Sequence, residues 1–213
     1  MQQEKLEKQL TAVNEELKQD PDNPDLLNEK GILQHRMGQH RQAVQTFRKA
    51  LHHHSDDHRI HFNLGNTFYE MQQVEQALNC YMDALDQKPD YVPALTHLAD
   101  IYELAGEEGK ATELFEYITQ VNPDDPVGHF NLGNRYLRVG NGLEASRSYR
   151  KALELDPEFY EAFNNLGLLL KHIGKYRDAI EYYEKCLEIN PDYEPAQKDL
   201  EYCKKQLANS SQA

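Results

Sequence analysis

Histidines are the residues of this 213-residue chain whose type and spacing first point to chemistry. His52, His53, His54, His58 and His61 crowd one short segment beside two aspartates, and imidazole is the commonest metal ligand in proteins. Three consecutive helical residues point about 100° apart, however, so the triplet cannot turn all its rings toward one ion. We therefore interpret these histidines as packing or surface residues and predict no metal site. A weak adventitious metal site is the alternative.

Other segments that resemble catalytic motifs lack the context that such motifs need. Residues 140–145 (GNGLEA) resemble half of a dinucleotide fingerprint but follow no predicted strand. Ser148 and Lys151 have the spacing of S-x-x-K without the other motifs of penicillin-binding enzymes. The 3 cysteines are an odd number without metal-site spacing, so neither a disulfide framework nor a zinc site is expected. We predict that the chain is not an enzyme and uses no cofactor.

The composition argues against two classes of partner. The chain has 36 acidic and 23 basic residues, a net charge of −13. Such a chain is not expected to bind nucleic acid through phosphate attraction. No apolar run approaches the roughly 20 residues that cross a bilayer, and the N-terminus has no apolar signal region. We therefore expect no nucleic-acid partner, no membrane insertion and a cytoplasmic location.

A period of 34 residues identifies the elements that must position any functional side chain. Three ladders keep this period: small residues at Gly31, Gly65, Ala99, Gly133 and Gly167, alanines at Ala43, Ala77, Ala111, Ala145 and Ala179, and aromatics at Phe47, Tyr81, Phe115, Tyr149 and Tyr183. Chance does not keep three ladders in one register, and the period of a repeat array identifies its fold. The ladders therefore predict five repeats, at 24–57, 58–91, 92–125, 126–159 and 160–193.

Each predicted repeat consists of two amphipathic helices, because its apolar residues recur at steps of three and four. Residues 1–23 fit an N-terminal half-repeat, a capping helix that lacks a partner within its own repeat. Residues 194–213 fit a C-terminal capping helix followed by a frayed tail. The predicted fold class is all-α, a solenoid of antiparallel helix pairs.

The last repeat carries a known pattern at Phe163, Leu166, Gly167, Leu170, Ala179, Tyr183 and Pro191. This set resembles the pattern W-x₂-L-G-x₂-Y…A-x₃-F…P of the tetratricopeptide repeat (TPR) family, and the resemblance extends over all five repeats. It implies a right-handed α-solenoid, the TPR superhelix, that binds other proteins. The first repeat departs from the pattern, with Lys30, Gln34 and Ser55 at positions where apolar, aromatic and proline residues are expected.

The first helices of stacked repeats line a concave groove. Counting residues from the start of each repeat as register positions, we expect positions 2, 5, 6, 9, 12 and 13 to face this groove, because positions 4, 7, 8 and 11 face the core. The candidate peptide-binding residues at these positions are Asn63, Asn66, His97, Asp100, Asn131, Asn134 and Asn165, with Phe62 and Phe130 as apolar contacts. A side-chain amide both donates and accepts, so asparagines can pair with an extended backbone. In the alternative interpretation, these asparagines only make contacts between helices.

The asparagines at register position 6 are similar to those of the TPR arrays of O-linked N-acetylglucosamine transferases, in which an inner asparagine ladder grips substrate backbone. The matching residues are Asn63, Asn131 and Asn165, while Glu29 and His97 interrupt the series. A second TPR subclass binds acidic chaperone tails through a lysine at register position 5. No repeat has that lysine, so chaperone-tail binding is not expected.

The predicted function is therefore a non-catalytic scaffold or adaptor that binds an extended protein segment in its groove. One alternative is a self-assembling structural protein, a homo-oligomer in which the N-terminal half-repeat docks into a neighbouring copy. Another is a recruiting or regulatory subunit of a separate enzyme.

Overall fold

The computed structural model describes residues 2–210, apart from the side chains of residues 53 and 210, and these residues form twelve helices and no strand. The helices are α1 (Gln2–Glu16), α2 (Pro24–Arg36), α3 (His40–His53), α4 (His58–Glu70), α5 (Val74–Gln87), α6 (Val92–Leu104), α7 (Glu108–Val121), α8 (Pro126–Arg138), α9 (Gly142–Leu155), α10 (Tyr160–His172), α11 (Tyr176–Ile189) and α12 (Glu194–Ser210). Two helices form in each predicted repeat, and the all-α solenoid class is confirmed. Most of the predicted frayed tail, residues 211–213, lies outside the described residues, and 209–210 continue α12.

The helices group into two compact units, of which unit 1 ends at Leu114 and unit 2 begins at Phe115. In unit 1, α2 packs against α3 and α4 against α5. In unit 2, α8 packs against α9 and α10 against α11. Each of these pairs is one repeat, so the chain neighbours predicted from the period are also the packed neighbours in space.

The turn between the two helices of a pair needs a left-handed backbone at register position 15. Glycine supplies it in four repeats, with φ between 73° and 77°, at Gly38, Gly106, Gly140 and Gly174. In the second repeat Gln72 adopts φ 60° instead. Only glycine adopts this region without steric cost, so Gln72 is a point of local strain.

A close approach between paired helices explains the small residue at register position 8. A Cβ added to Gly133 would lie 2.6 Å from the Tyr149 ring, and one added to Gly65 would lie 2.7 Å from the Tyr81 ring. Both tyrosines are fully buried. The missing side chain of the first helix therefore creates the space that the aromatic ring of the second helix fills.

The two end helices cover the outermost pairs. In unit 1, α1 packs against α2, with Leu6, Val13 and Leu33 buried between them. In unit 2, α12 packs against α11 and buries Ala196. Counted from residue 194, register position 8 of α12 is the exposed Glu201, where the five repeats carry glycine or alanine. No described helix is both long and apolar enough to span a membrane.

Candidate peptide-binding site

In unit 1 the candidate site residues lie on the first helices of two neighbouring repeats. Phe62, Asn63 and Asn66 follow one another on one face of α4, because residues three and four apart share a helix face. His97 and Asp100 lie on α6. All are half-buried except Asp100, which is exposed. Side chains that the sequence placed on the groove therefore form a partly accessible surface in this unit.

An aromatic contact joins α4 to α6. The His97 ring stacks on Tyr81 with centroids 5.4 Å apart and an angle of 11°, and it lies 5.5 Å from the Phe62 ring. Desolvation raises the pKa of the Asp100 carboxyl although the residue as a whole is exposed, and His97 opposes this shift by Coulomb attraction. His97 thus supports the neighbouring helices as well as lining the surface.

Two asparagines of α4 already make contacts between helices. The Asn63 side-chain amide donates to Asn28 Oδ1 on α2 over 2.9 Å. The Tyr81 hydroxyl on α5 donates to Asn66 Oδ1 over 2.8 Å. Asn63 therefore bonds within the fold through its side-chain nitrogen, and Asn66 through its side-chain oxygen. The Asn63 oxygen and the Asn66 NH₂ are directed away from these bonds.

In unit 2 the site residues form a chain of hydrogen-bonded amides between α8 and α10. Asn134 Oδ1 accepts from the Tyr149 hydroxyl over 2.8 Å and from the Asn165 amide over 2.9 Å. Asn165 Oδ1 in turn accepts from the Asn164 amide over 3.1 Å. Asn131 is half-buried one turn before Asn134, on the same face of α8.

Phe130 contributes both to this surface and to the core. Its ring centroid lies 4.8 Å from that of Phe159 and 5.7 Å from that of Tyr149. The side chain is half-buried, so one part of the ring packs inward and another part stays accessible. Phe62 has the same register position in unit 1 and the same half-buried state.

Register position 5 differs from the expectation where it carries asparagine. Asn28 and Asn164 are only 8% exposed, so they do not face an open groove. An asparagine at register position 6 covers each of them: Asn63 bonds to Asn28, and Asn165 bonds to Asn164. The carbonyl oxygen of Asn164 is buried without a hydrogen-bond partner among the described residues.

Sequence reasoning missed the two tyrosines that bind asparagines. Tyr81 and Tyr149 stand at register position 24, which the sequence identified only as a ladder of aromatic residues. The sequence did contain a signal for this contact. Both repeats with asparagine at position 9, the second and the fourth, carry tyrosine at position 24, and in both the two side chains are hydrogen-bonded.

The histidine segment packs at the end of a helix pair. His61 Nε2 lies 2.8 Å from the Ser55 carbonyl oxygen, and the His58 ring meets Tyr91 edge-on at 4.8 Å. Within the residues that the structure describes, no group of three or more His, Cys, Asp or Glu is placed to hold a metal ion. The 3 cysteines are buried free thiols at Cys80, Cys186 and Cys203.

Comparison with known families identifies the repeats. Family models described as "Tetratricopeptide repeat" match residues 14–45, 126–159 and 160–193, and one described as "TPR repeat" matches 65–106. Together these matches cover more than half of the chain. A curated relative, "Uncharacterized protein ycf37" of Pyropia yezoensis, is 39% identical over 59 residues, which are 28% of this chain and 33% of that protein. The chain therefore matches only about a third of that relative's length.

Several solved structures share the fold. YrrB, a TPR protein with an unusual peptide-binding site, superposes with a TM-score of 0.70 at 19% identity, over 88% of this chain and 96% of that one. The C-terminal part of a TPR repeat-containing protein from Cytophaga hutchinsonii gives 0.74 at 18% identity, over 87% and 74%. MamA gives 0.67 at 20% identity, over 76% and 94%. Likeness at this level of identity shows the fold and leaves function to the site.

Proposed function

Because the chain belongs to the tetratricopeptide repeat family, whose members serve as protein-interaction scaffolds, we propose that the first helices of its repeats bind an extended segment of another protein without catalysing a reaction. The observation that carries this proposal is the hydrogen bonding of two half-buried asparagines. Asn66 and Asn134 each hold one end of the amide within the fold. The other end is left for a ligand.

Backbone pairing suits such a surface. An extended segment presents alternating carbonyl and N–H groups, and an amide side chain can pair with either. Phe62 and Phe130 lie one turn before Asn66 and Asn134, so an apolar contact accompanies each amide. Main-chain hydrogen bonds would supply affinity and the aromatic rings would select side chains. The shared fold of YrrB, itself a TPR protein with an unusual peptide-binding site, supports this mode.

The test uses a probe that assumes no partner. A phage library of random ten-residue peptides is selected on the full chain, and the affinity of a selected peptide is measured by fluorescence anisotropy. Asn131→Ala removes an amide from the proposed surface and should weaken binding. The matched control is Asn79→Ala, since Asn79 is exposed on the second helix α5. Failure to select any peptide, or equal loss in both variants, would contradict the proposal.

The two alternative functions, self-assembly and a subunit of a separate enzyme, differ in the support that the structure gives them. Self-assembly through the N-terminal half-repeat was motivated by a helix without a partner, but α1 packs against α2 within unit 1. No other observation favours that function. A recruiting or regulatory subunit of a separate enzyme would use the same surface, so it is a special case of the proposal.

A further inference from the structure

The repeats differ from one another in a correlated way at two register positions. Positions 9 and 24 carry Ile32 with Phe47, Asn66 with Tyr81, Asp100 with Phe115, Asn134 with Tyr149, and Leu168 with Tyr183. Asparagine at position 9 thus always occurs with tyrosine at position 24. The two repeats with phenylalanine have no asparagine at position 9. A role in packing alone would not require this correlation, because tyrosine and phenylalanine fill the same space.

Geometry explains the correlation. In both repeats with asparagine, the tyrosine hydroxyl lies 2.8 Å from the asparagine Oδ1. Tyr81 and Tyr149 are 0% exposed, so a hydroxyl without a partner would be costly there. Burial raises the pKa of Tyr149 to about 12, and burial likewise raises the pKa of Tyr81. Both hydroxyls therefore keep their proton at neutral pH.

A single contact with a hydroxyl does not orient an amide, because a hydroxyl both donates and accepts. In unit 2 a second contact removes this ambiguity. Asn134 Oδ1 also accepts from Asn165, whose own oxygen accepts from Asn164. Reversing all three amides would keep the same number of hydrogen bonds but would bury the Asn164 NH₂ without a partner among the described residues. An unpaired buried N–H is costlier than the unpaired side-chain oxygen that Asn164 has in this structure. The Asn134 oxygen is thereby held inward and its NH₂ is directed outward.

The fifth repeat shows that tyrosine at position 24 is not sufficient. Position 9 is Leu168 there, and the Tyr183 hydroxyl donates instead to Asp199 of α12 over 3.2 Å. Asp199 is also paired with Lys171 at 2.6 Å. Tyr183 is as deeply buried as Tyr149, but it has no asparagine to orient. It therefore serves as an internal control for Tyr149.

We infer that Tyr149 is a positioning residue, which together with Asn165 fixes the amide of Asn134 so that its NH₂ donates to a backbone carbonyl of the bound segment. This inference rests on the proposed function and adds the polarity of its hydrogen bond. At this point the surface recognises a carbonyl group and needs no N–H from the partner. Residues without an N–H, such as proline, are therefore accepted next to this carbonyl.

The experiment compares isosteric variants of the full chain against a peptide selected from the random library. Asn134→Asp keeps an oxygen that accepts from Tyr149 and Asn165 and replaces the outward NH₂ with a carboxylate oxygen, which cannot donate. We expect it to weaken peptide binding about tenfold or more, while Tyr149→Phe weakens binding about threefold to tenfold. Tyr183→Phe should leave the affinity unchanged. Melting temperatures of all variants separate loss of binding from loss of folding.

A spectroscopic measurement tests positioning directly. In a sample with ¹⁵N-labelled asparagine, the side-chain NH₂ resonances of Asn134 should shift when the peptide is added to the wild type, and shift less in Tyr149→Phe. On the peptide side, an ester at the contacted bond weakens the carbonyl acceptor and should lower affinity. N-methylation of that bond replaces the N–H with N–CH₃ and keeps the carbonyl acceptor, so it should not lower affinity.

The outcomes are distinct. If no peptide is selected, the proposed function itself fails. If peptides bind but Tyr149→Phe and Tyr183→Phe bind them equally, or Asn134→Asp binds them as the wild type does, the positioning role is overturned. Weaker binding by both Asn134→Asp and Tyr149→Phe, at melting temperatures close to that of the wild type, supports it.

Discussion

The link between register positions 9 and 24 can be tested by moving it into a repeat that lacks it. Phe47 is fully buried and its ring lies against Gly31. Position 9 of that repeat is the half-buried Ile32. Phe47→Tyr would bury a hydroxyl without a partner, which costs about 1–3 kcal/mol of the free energy of unfolding. Adding Ile32→Asn would provide the acceptor that Asn66 provides for Tyr81.

The magnitude follows from a double-mutant cycle. Ile32→Asn alone loses part of an apolar contact, at a cost of about 1–2 kcal/mol. If the new pair forms the hydrogen bond, the double variant should be more stable than the sum of the single losses by about 1–3 kcal/mol. The four proteins are compared by urea unfolding, and by hydrogen exchange of the α2 and α3 amides, which reads local stability in a repeat array. Additivity within about 0.5 kcal/mol would refute the reasoning.

The outcomes of four further variants follow from local geometry. Gln72→Gly should raise the free energy of unfolding by about 0.5–1 kcal/mol in a urea titration, because the strain energy relieved at the left-handed backbone exceeds the cost of the extra unfolded-state entropy of glycine. A loss of stability would show that the backbone of Gln72 at φ 60° is not strained. Gly133→Ala should lower it by about 1–2 kcal/mol, because the new Cβ would meet the Tyr149 ring. Gly109 lies in open space on α7, so Gly109→Ala should raise the free energy of unfolding by about 1 kcal/mol. Equal effects at Gly133 and Gly109 would contradict the packing argument. Burial lowers the pKa of His35, so the unfolded chain takes up the proton first as the pH falls below about 6.5. Wild-type stability should therefore fall between pH 7 and pH 5, and it should fall less in His35→Gln, as thermal melts would show.

The fold was predictable because the period constrains every element at once. The aromatic ring at register position 24 fits only where position 8 carries a small residue, as the close approach of Gly133 and Tyr149 shows. Their fixed separation in five repeats determines which helices pair and which faces meet. The positive φ of Gly174 at register position 15 could be anticipated in the same way, since a turn must fall between the two apolar faces. Periodicity therefore gave the helices and their pairing.

Burial at the site depends on the neighbouring repeat and was harder to predict. Phe62 and Asn164 share register position 5, yet one is half-buried and the other is only 8% exposed, beneath Asn165. Arg135 is a stronger case, since a charged residue at register position 10 is 1% exposed. Helical periodicity assigns a face to each residue, but the side chains of adjacent helices decide how far that face is covered.

The two interpretations of the asparagines, contact between helices and capture of a peptide, are compatible because an amide has two different ends. The side-chain oxygen of Asn134 accepts hydrogen bonds from Tyr149 and Asn165. That contact stabilises the packing of α8, and it also restricts the side chain to one orientation. A side chain already held in place loses less conformational entropy when a ligand binds. Contacts that hold the repeats together therefore prepare the outward NH₂ for binding. A variant that releases the oxygen should weaken both folding and peptide binding, and the loss of binding free energy should exceed the loss of free energy of unfolding.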